Sequence, residues 1–173
     1  LPINENANYE PSTPYGASKM GAEAYCKAYY NCYNVPTKII RMFNVYGPGR
    51  VGLVVYDLIK KLLSNHSRLV MHGDGKQIRD FLFIDDVVSG FQLVSEKGKC
   101  NQVYHIGSGK PISILSLANI IIKELKLDGV EIETTGKNYK GEMLKWYADT
   151  SKINKLGFTS RITLKEGIKK TID

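Results

Sequence analysis

The sequence has 173 residues, of which 43% are hydrophobic and 24% are charged, as in an ordinary soluble domain with a single core. Its longest apolar runs, such as VGLVVY and LANIII, are too short to cross a bilayer. Its first residues show no secretory-signal pattern, so we expect a cytoplasmic protein. The net charge of +7 comes from dispersed lysines rather than a dense basic stripe. This argues against nucleic-acid binding and is compatible with an anionic small substrate.

Cysteine and histidine spacing gives no sign of a metal site. The three cysteines, Cys26, Cys32 and Cys100, form no CxxC pair, and the three histidines are scattered along the chain. An odd number of cysteines also argues against a disulfide framework. We therefore expect reduced thiols and no bound metal.

The first predicted element is a helix. PYGASKMGAEAYCKAYYNCYN has helical character, Ser12 or Thr13 can cap it, and Pro14 suits its first turn. A single buried strand, PTKIIRMFNVYG, is predicted next and ends at Gly47–Pro48. A doubly wound sheet usually starts with a strand, so this order suggests a fold entered partway through.

The remaining segments continue to alternate between helices and strands. The predicted order is helix LVVYDLIKKLLSN, strand RLVMHG, strand RDFLFID, helix VVSGFQLVSEKG capped by Asp85 or Asp86, strand QVYHIGSG, helix ILSLANIIIKELKL opened by Ser113, strand VEIETTG, and short helices TSKINKLGF and TLKEGIKKTID. This alternation indicates an α/β protein.

Tyr15 and Lys19 lie four residues apart on the first helix and therefore share one face. Such a pair is usually ordinary helix surface. To act as a base near neutral pH, a tyrosine must lower its pKa from about 10 by about three units, which requires roughly 4 kcal/mol. A cation about 4 Å away supplies about that much at an effective dielectric near 20. The pair could therefore act as an acid/base if the lysine is held near the phenol.

Five blocks in order resemble one enzyme family: PSTPYGASKMGAEAY, RMFNVYGPG, HGDGKQIRDFLFIDDVV, VYHIGSG and YADTSKINKLGF. They are similar to the extended short-chain dehydrogenase/reductase family, and most of all to its NAD-dependent sugar-nucleotide epimerases and dehydratases of the UDP-glucose 4-epimerase type. The resemblance implies the C-terminal part of a Rossmann-type doubly wound fold plus a small substrate-binding lobe. Residues 1–50 would end the NAD-binding domain. Residues 51–173 would mainly form the lobe, with a strand near 102–107 returning to the main sheet.

The resemblance also implies NAD as cofactor and epimerisation at C4 of a UDP-sugar or another NDP-sugar through a 4-keto intermediate. Tyr15 would be the acid/base, and Lys19 its partner on the nicotinamide ribose. Met42 and Phe43 would contact nicotinamide or sugar, with core packing as the alternative for Phe43.

The implied substrate-binding residues are Asn44, Leu53, Val54, Val70, His72, Arg79 and Glu142. Asn44 has a strand-end turn as its alternative role, and Leu53 and Val54 have core packing. Val70 and His72 would hold the nucleotide base.

Arg79 would grip the diphosphate, because a planar guanidinium suits two anionic oxygens. A pair with Asp74 or Asp80 is its alternative. Glu142 would bind a sugar or ribose hydroxyl. Tyr139 departs from the family pattern by standing where an arginine is expected, and Lys137 or Lys140 could replace the lost charge. This departure leaves the exact sugar nucleotide open.

Two glycine-containing segments imitate phosphate loops. Gly47–Gly52 reads GPGRVG and satisfies GxGxxG, but Pro48 removes an amide donor where such a loop needs donors. We interpret it as a strand-terminating turn, and we interpret Ser108–Lys110 as a simple turn as well.

Two alternatives remain open from the sequence: a 4,6-dehydratase, and a fragment that binds sugar nucleotides without turning them over. We also expect the isolated chain to be poorly soluble or self-associated and not to retain NAD. The resemblance implies a homodimer formed through the helix from Tyr15 to Tyr33 in the full-length protein.

Overall fold

The computed structural model describes residues 1–8, 10–137 and 143–173. These residues form helices and strands in the following order: α1 Pro14–Tyr33, β1 Lys38–Met42, β2 Asn44–Tyr46, α2 Val54–Ser64, β3 Arg68–Met71, β4 Ile78–Phe83, α3 Ile84–Lys97, β5 Gln102–Ile106, β6 Pro111–Ser113, α4 Ile114–Glu124, β7 Glu131–Thr134, β8 Lys145–Trp146, α5 Ser151–Asn154 and α6 Leu164–Ile172. The predicted α/β class is confirmed. None of the helices described is both long and apolar enough to span a bilayer.

The strands pair mostly in parallel. β1 lies parallel to β5, with Met42 opposite Ile106 at their carboxyl ends. β4 lies parallel to β2 and to β8, and antiparallel to β6. β3 and β7 form a separate parallel pair. Parallel strands end at the same edge of a sheet, so residues just after β1 and β5 are brought together there.

The prediction of one continuous strand before Gly47 is wrong, because the strand is interrupted at Phe43 and forms β1 and β2. β1 pairs with β5, whereas β2 pairs with β4, so the chain changes partner between Met42 and Asn44. The Phe43 amide still donates to the carbonyl of Ile106 at 3.0 Å.

Helix α1 begins as predicted, since the Thr13 hydroxyl accepts a hydrogen bond from Gly16 N at 3.1 Å and Pro14 follows it. The helix contains no buried residue. Its exposed large side chains are Tyr15, Met20, Tyr25, Tyr29 and Tyr33. A helix of 20 residues with tyrosines along an open face therefore lies on the outside of the chain.

The predicted cap of α3 is also wrong. The helix starts at Ile84, its N-cap is Phe83, and no side chain caps it. Asp85 and Asp86 lie in the first turn instead, where a carboxylate still complements the helix dipole. Asp86 is buried and accepts hydrogen bonds from Arg161 N at 3.1 Å and Ile162 N at 3.0 Å. It therefore fixes the segment before α6 rather than capping its own helix.

Two clusters of buried side chains form the core. The larger one lies among α2, α4, α6 and strands β2, β3 and β4, and includes Leu62, Leu69, Leu117, Ile121 and Ile168. The smaller one packs α3 and α5 against β4 and β5, and includes Leu82, Val94, Ile106 and Ile153. The cavity described below lies beside the larger cluster, which supplies its lining residues Leu58, Met71 and Ile114.

Candidate functional site

Tyr15 and Lys19 lie at the amino-terminal end of α1. The Tyr15 side chain is 72% exposed, and Lys19 Nζ lies over its ring, 5.4 Å from the centroid. The ammonium therefore makes a cation–π contact with the tyrosine that it was predicted to accompany. A second tyrosine and lysine at the same spacing, Tyr56 and Lys60 on α2, make a similar contact at 6.0 Å. A tyrosine–lysine contact at this spacing thus occurs on two helices and does not by itself identify an acid/base pair.

Met42 and Phe43 lie at the carboxyl ends of the parallel strands β1 and β5. Met42 is half exposed, while Phe43 is buried. The Phe43 ring packs at 5.4 Å from the ring of His105 and at 5.3 Å from that of Trp146. Phe43 is thus packed against two rings, and its contact with nicotinamide or sugar stays a prediction. Met42 presents its side chain outward at the edge where ligands of parallel sheets bind.

Four of the predicted substrate residues line one cavity of about 300 Å³: Asn44, Val54, His72 and Arg79. They come from β2, α2, the end of β3 and β4. The other lining residues are Asp57, Leu58, Lys61, Met71, Gln77 and Ile114. The fold thus brings residues as far apart in sequence as Asn44 and Ile114 to one small space.

Asn44 is held by the backbone of the neighbouring strand. Its side-chain amide donates to the carbonyl of Asp80 at 2.9 Å. Asp80 is completely buried, and its carboxylate accepts hydrogen bonds from four donors. These are Ser108 N at 2.7 Å, Ser108 Oγ at 2.5 Å, Gly109 N at 3.0 Å and Ala148 N at 3.2 Å. Asp80 therefore joins β4 to the loop after β5, and its carbonyl orients Asn44 at the cavity.

Arg79 reaches the cavity from β4. Its Nη1 donates to the carbonyls of Ile78 at 2.9 Å and Leu144 at 3.4 Å. The two acids considered as its partners accept backbone hydrogen bonds elsewhere: Asp74 from Lys76 N at 2.9 Å, and Asp80 from the donors named above. The carbonyl contacts restrain the side chain of Arg79 at the cavity wall.

Other predicted substrate residues lie outside this cavity. Leu53 is exposed, with a φ of +99° just before α2. Val70 is exposed and lines an adjoining open groove of about 540 Å³. The groove shares Asp57 and Lys61 with the cavity. Tyr15 and Lys19 are not among the lining residues, and Glu142, Tyr139 and Lys140 lie outside the described residues.

Sequence reasoning missed two charged residues of the cavity, Asp57 and Lys61. Both follow Val54 on α2 at helical spacing, so they lie on the same face, and this spacing was the signal that could have found them. Lys61 Nζ donates to the carbonyl of Val70 at 2.9 Å, which fixes the ammonium between cavity and groove. Among the described lining residues, Lys61 and Arg79 are permanent cations and Asp57 is the one carboxylate, an arrangement that suits an anionic ligand.

A polar network surrounds His105 on β5. His105 is buried, its Nδ1 lies 3.0 Å from the carbonyl of Ile3, and its amide donates to Glu5 Oε1 at 2.9 Å. Arg41 Nη1 lies 3.4 Å from His105 Nε2. Burial lowers the pKa of His105; Glu5 and Asp149 oppose this shift, and Arg41 adds to it. The network joins the first residues of the chain to β1 and β5.

The two glycine-containing segments are turns. In Gly47–Gly52, Arg50 N donates to the carbonyl of Gly47 at 3.3 Å. A Cβ at Gly47 would lie 2.7 Å from Ile84 Cγ2, so glycine is required there by close approach to α3. In Ser108–Lys110, two backbone amides are used by the carboxylate of Asp80. No cluster of three or more histidine, cysteine, aspartate or glutamate residues suited to a metal occurs in the described ranges.

Comparisons with known proteins place these features in a family. The chain is 35% identical over 185 residues to dTDP-D-glucose 4,6-dehydratase of Bos taurus, covering 99% of the chain but only 50% of the bovine protein. It superposes with a TM-score of 0.91 and 29% identity on UDP-glucose 4-epimerase of Thermotoga maritima with UDP-glucose, covering 99% of this chain and 56% of that one.

A third relative was solved with both a sugar nucleotide and NAD bound. It is a mutant of UDP-glucuronic acid 4-epimerase of Bacillus cereus in complex with UDP-4-deoxy-4-fluoro-glucuronic acid and NAD, with a TM-score of 0.87, 29% identity, and coverage of 98% of this chain and 55% of that one. The relatives thus include both epimerases and dehydratases. The family described as GDP-mannose 4,6 dehydratase matches residues 1–171, and the chain therefore belongs to this family, among the sugar-nucleotide epimerases and dehydratases that its sequence resembles.

Proposed function

We propose that this chain supplies the acid/base pair and the substrate cavity of an NAD-dependent NDP-sugar 4-epimerase of the UDP-glucose/UDP-galactose type. The observation that carries the proposal is the cavity, where Asn44, Val54, His72 and Arg79 meet. The chain spans about half the length of the relatives that it matches, so the activity of a whole protein is part of this proposal.

The cavity suits part of a sugar nucleotide. Its volume of about 300 Å³ is at the lower end of ligand pockets, so it would hold the diphosphate and an adjoining group. Arg79 and Lys61 supply the positive charge, and a guanidinium can bind two phosphate oxygens at once. The nucleoside would continue into the open groove beside Val70, with which the cavity shares Lys61.

Tyr15 is the proposed proton acceptor for the sugar 4-hydroxyl. Its position at the start of α1 adds a small favourable contribution to the phenolate, and Lys19 adds the larger one when its ammonium approaches the phenol. The proton moves from the sugar oxygen to the Tyr15 oxygen and returns after the keto sugar has turned. NAD, when bound, supplies a reversible hydride acceptor for the C4 hydrogen.

The residues present fit the nicotinamide end of NAD. Met42 is half exposed at the shared edge of β1 and β5, and Lys19 is free to reach a ribose hydroxyl from the outer face of α1. Gly47–Gly52 is unsuited to the pyrophosphate of NAD, because Pro48 has no backbone N–H to donate to a phosphate oxygen. We therefore assign residues 1–50 to the cofactor side and 51–173 mainly to the substrate side.

The test is conversion of UDP-glucose by the intact protein that contains this chain. Tyr15→Phe is expected to lower kcat by about 10²–10⁴-fold, as for loss of a general base. Tyr56→Phe is the matched control, because Tyr56 forms the same kind of pair with Lys60 on another helix. Equal, measurable rates for wild type and Tyr15→Phe would refute the role of Tyr15. Binding of UDP-glucose by wild type with no conversion would instead support a sugar-nucleotide-binding protein without turnover.

Mass spectrometry of the product separates the two enzyme classes. An epimerase leaves the mass of the sugar nucleotide unchanged, whereas a 4,6-dehydratase removes one water. The bovine relative is a dehydratase, which makes this second reaction the alternative. Loss of water from UDP-glucose or dTDP-glucose would replace the epimerase proposal.

The exposed tyrosines of α1 suit a contact with a second copy of the protein. Tyr25, Tyr29 and Tyr33 recur at helical spacing, and the rings of Tyr29 and Tyr33 lie 5.5 Å apart between centroids, tilted by 49°. We expect a dimer in sedimentation. Tyr29→Glu would place a charge in this face and is expected to yield monomers, whereas a dimer that persists would mean that another surface forms it.

A further inference from the structure

An ion pair between Arg41 on β1 and Glu23 on α1 connects this helix to the sheet. The proposed function does not use it. Arg41 on β1 donates to both carboxylate oxygens of Glu23 on α1, from Nε to Oε1 at 2.7 Å and from Nη2 to Oε2 at 2.8 Å. The two side chains are only 20% and 15% exposed. A bidentate guanidinium–carboxylate pair fixes both the distance and the orientation of its partners.

This pair matters because the described residues include few other contacts that position α1. No residue of the helix is buried. In the second half of the helix, the carbonyl of Cys26 accepts a hydrogen bond from the Thr37 hydroxyl at 3.3 Å. Arg41 itself is fixed from two further directions, by the carbonyl of Glu5 at 3.3 Å and by His105 at 3.4 Å. The pair is therefore anchored to β1 and, through His105, to β5.

Glu23 also lies one turn from Lys19 on the same helix face, with Lys27 one turn further on. A carboxylate at this spacing can pair with Lys19 and draw its ammonium away from Tyr15. Arg41 opposes this because its guanidinium offsets the charge of Glu23 and donates to both of its oxygens. Lys19 instead lies over the Tyr15 ring.

We propose that Arg41 is a positioning residue for the acid/base pair: it clamps α1 to β1 through Glu23, and it keeps the Glu23 carboxylate from competing with Tyr15 for Lys19. The proposal rests on the proposed role of Tyr15 and Lys19. In this proposal Arg41, a residue of β1, determines both the position of α1 and the partner of Lys19.

The experiment measures kcat, KM and the pH profile of kcat in the intact protein for three variants. Arg41→Gln breaks the clamp and frees a carboxylate beside Lys19, so we expect kcat to fall about 10–100-fold with KM for the sugar nucleotide changed less than about twofold. The midpoint of the acid limb should also move to higher pH, because a carboxylate beside Lys19 opposes the phenolate.

Glu23→Gln together with Arg41→Gln removes the clamp without leaving a carboxylate. We expect the midpoint of the double variant to return to the wild-type value and kcat to recover in part. Arg41→Lys keeps a positive charge beside the Glu23 carboxylate. It should retain the wild-type midpoint of the pH profile and lose less kcat than Arg41→Gln.

A double variant with the same displaced midpoint as Arg41→Gln would overturn the proposal, as would a variant that raises KM and leaves kcat unchanged. Lys165→Gln is the control for loss of an ion-paired cation, since Lys165 pairs with Glu124 at 3.8 Å outside the site. If Arg41→Gln does not fold, Glu23→Gln alone carries the test: a lower kcat at an unchanged midpoint supports the clamp, and a wild-type kcat refutes it. Activity of wild type with loss in Tyr15→Phe tests the proposed function separately.

Discussion

The buried carboxylate of Asp80 offers the sharpest test of how the cavity is built. In Asp80→Asn, one oxygen becomes an NH₂ group of nearly the same shape. Each oxygen accepts from at least one backbone amide: Oδ1 from Ser108, and Oδ2 from Gly109 and Ala148. Whichever side the NH₂ group takes, it faces an N–H donor that cannot turn away.

The magnitude follows from these contacts. A hydrogen bond to a charged group contributes about 1.5–3 kcal/mol, and the substitution removes at least one of them and weakens the others. Relief of the buried charge offsets part of the loss. We expect the free energy of unfolding to fall by about 2–4 kcal/mol.

Urea unfolding followed by tryptophan fluorescence measures this change directly. The chain has one tryptophan, Trp146, which lies opposite Arg79 in the register of β8 with β4 and so reports on this region. Asp74→Asn is the matched control, because Asp74 accepts one backbone hydrogen bond in a turn, and we expect a loss below about 1 kcal/mol there. Equal losses in the two variants would refute the argument that the four-donor carboxylate organises the cavity.

Two further predictions concern pH and packing. Burial lowers the pKa of His105 in the folded protein, so the unfolded chain takes up the histidine proton at a higher pH than the folded chain. The free energy of unfolding is therefore highest above about pH 6.5 and decreases as the pH falls, by at most about 1.4 kcal/mol per pH unit. Urea midpoints between pH 5 and 7.5 should therefore depend less on pH in His105→Gln, and an unchanged slope would contradict this reasoning. Gly167→Ala would place a Cβ 2.1 Å from the Tyr46 hydroxyl oxygen and should cost about 1–3 kcal/mol by forcing α6 from the sheet. Gly21→Ala, with no atom within 4 Å of the new Cβ, should instead stabilise α1 by about 0.5–1 kcal/mol in the same denaturation assay; a loss there would show that the helix face is already covered.

Local sequence determined where most elements begin. Thr13 with Pro14 and Ser113 are short-range signals, since a hydroxyl needs only the next few amides to cap a helix, and both were predicted correctly. The ordered blocks around Tyr15, Asn44 and Arg79 determined the family, because their residue types and order are preserved in the sequence itself. The roles of Tyr15, Lys19 and the substrate residues stay predictions.

The tertiary structure alone decided which residues meet. The strand break at Phe43 follows from β1 and β2 having different partners, β5 and β4, and no local period encodes a partner so distant along the chain. The acid Asp86 looked like a helix cap but accepts bonds from the segment before α6. The clamp between Glu23 and Arg41 was likewise invisible, because each residue is ordinary in its own element. Helix and strand patterns depend on neighbours a few residues away, whereas buried hydrogen bonds and ion pairs depend on which surfaces the whole chain brings together.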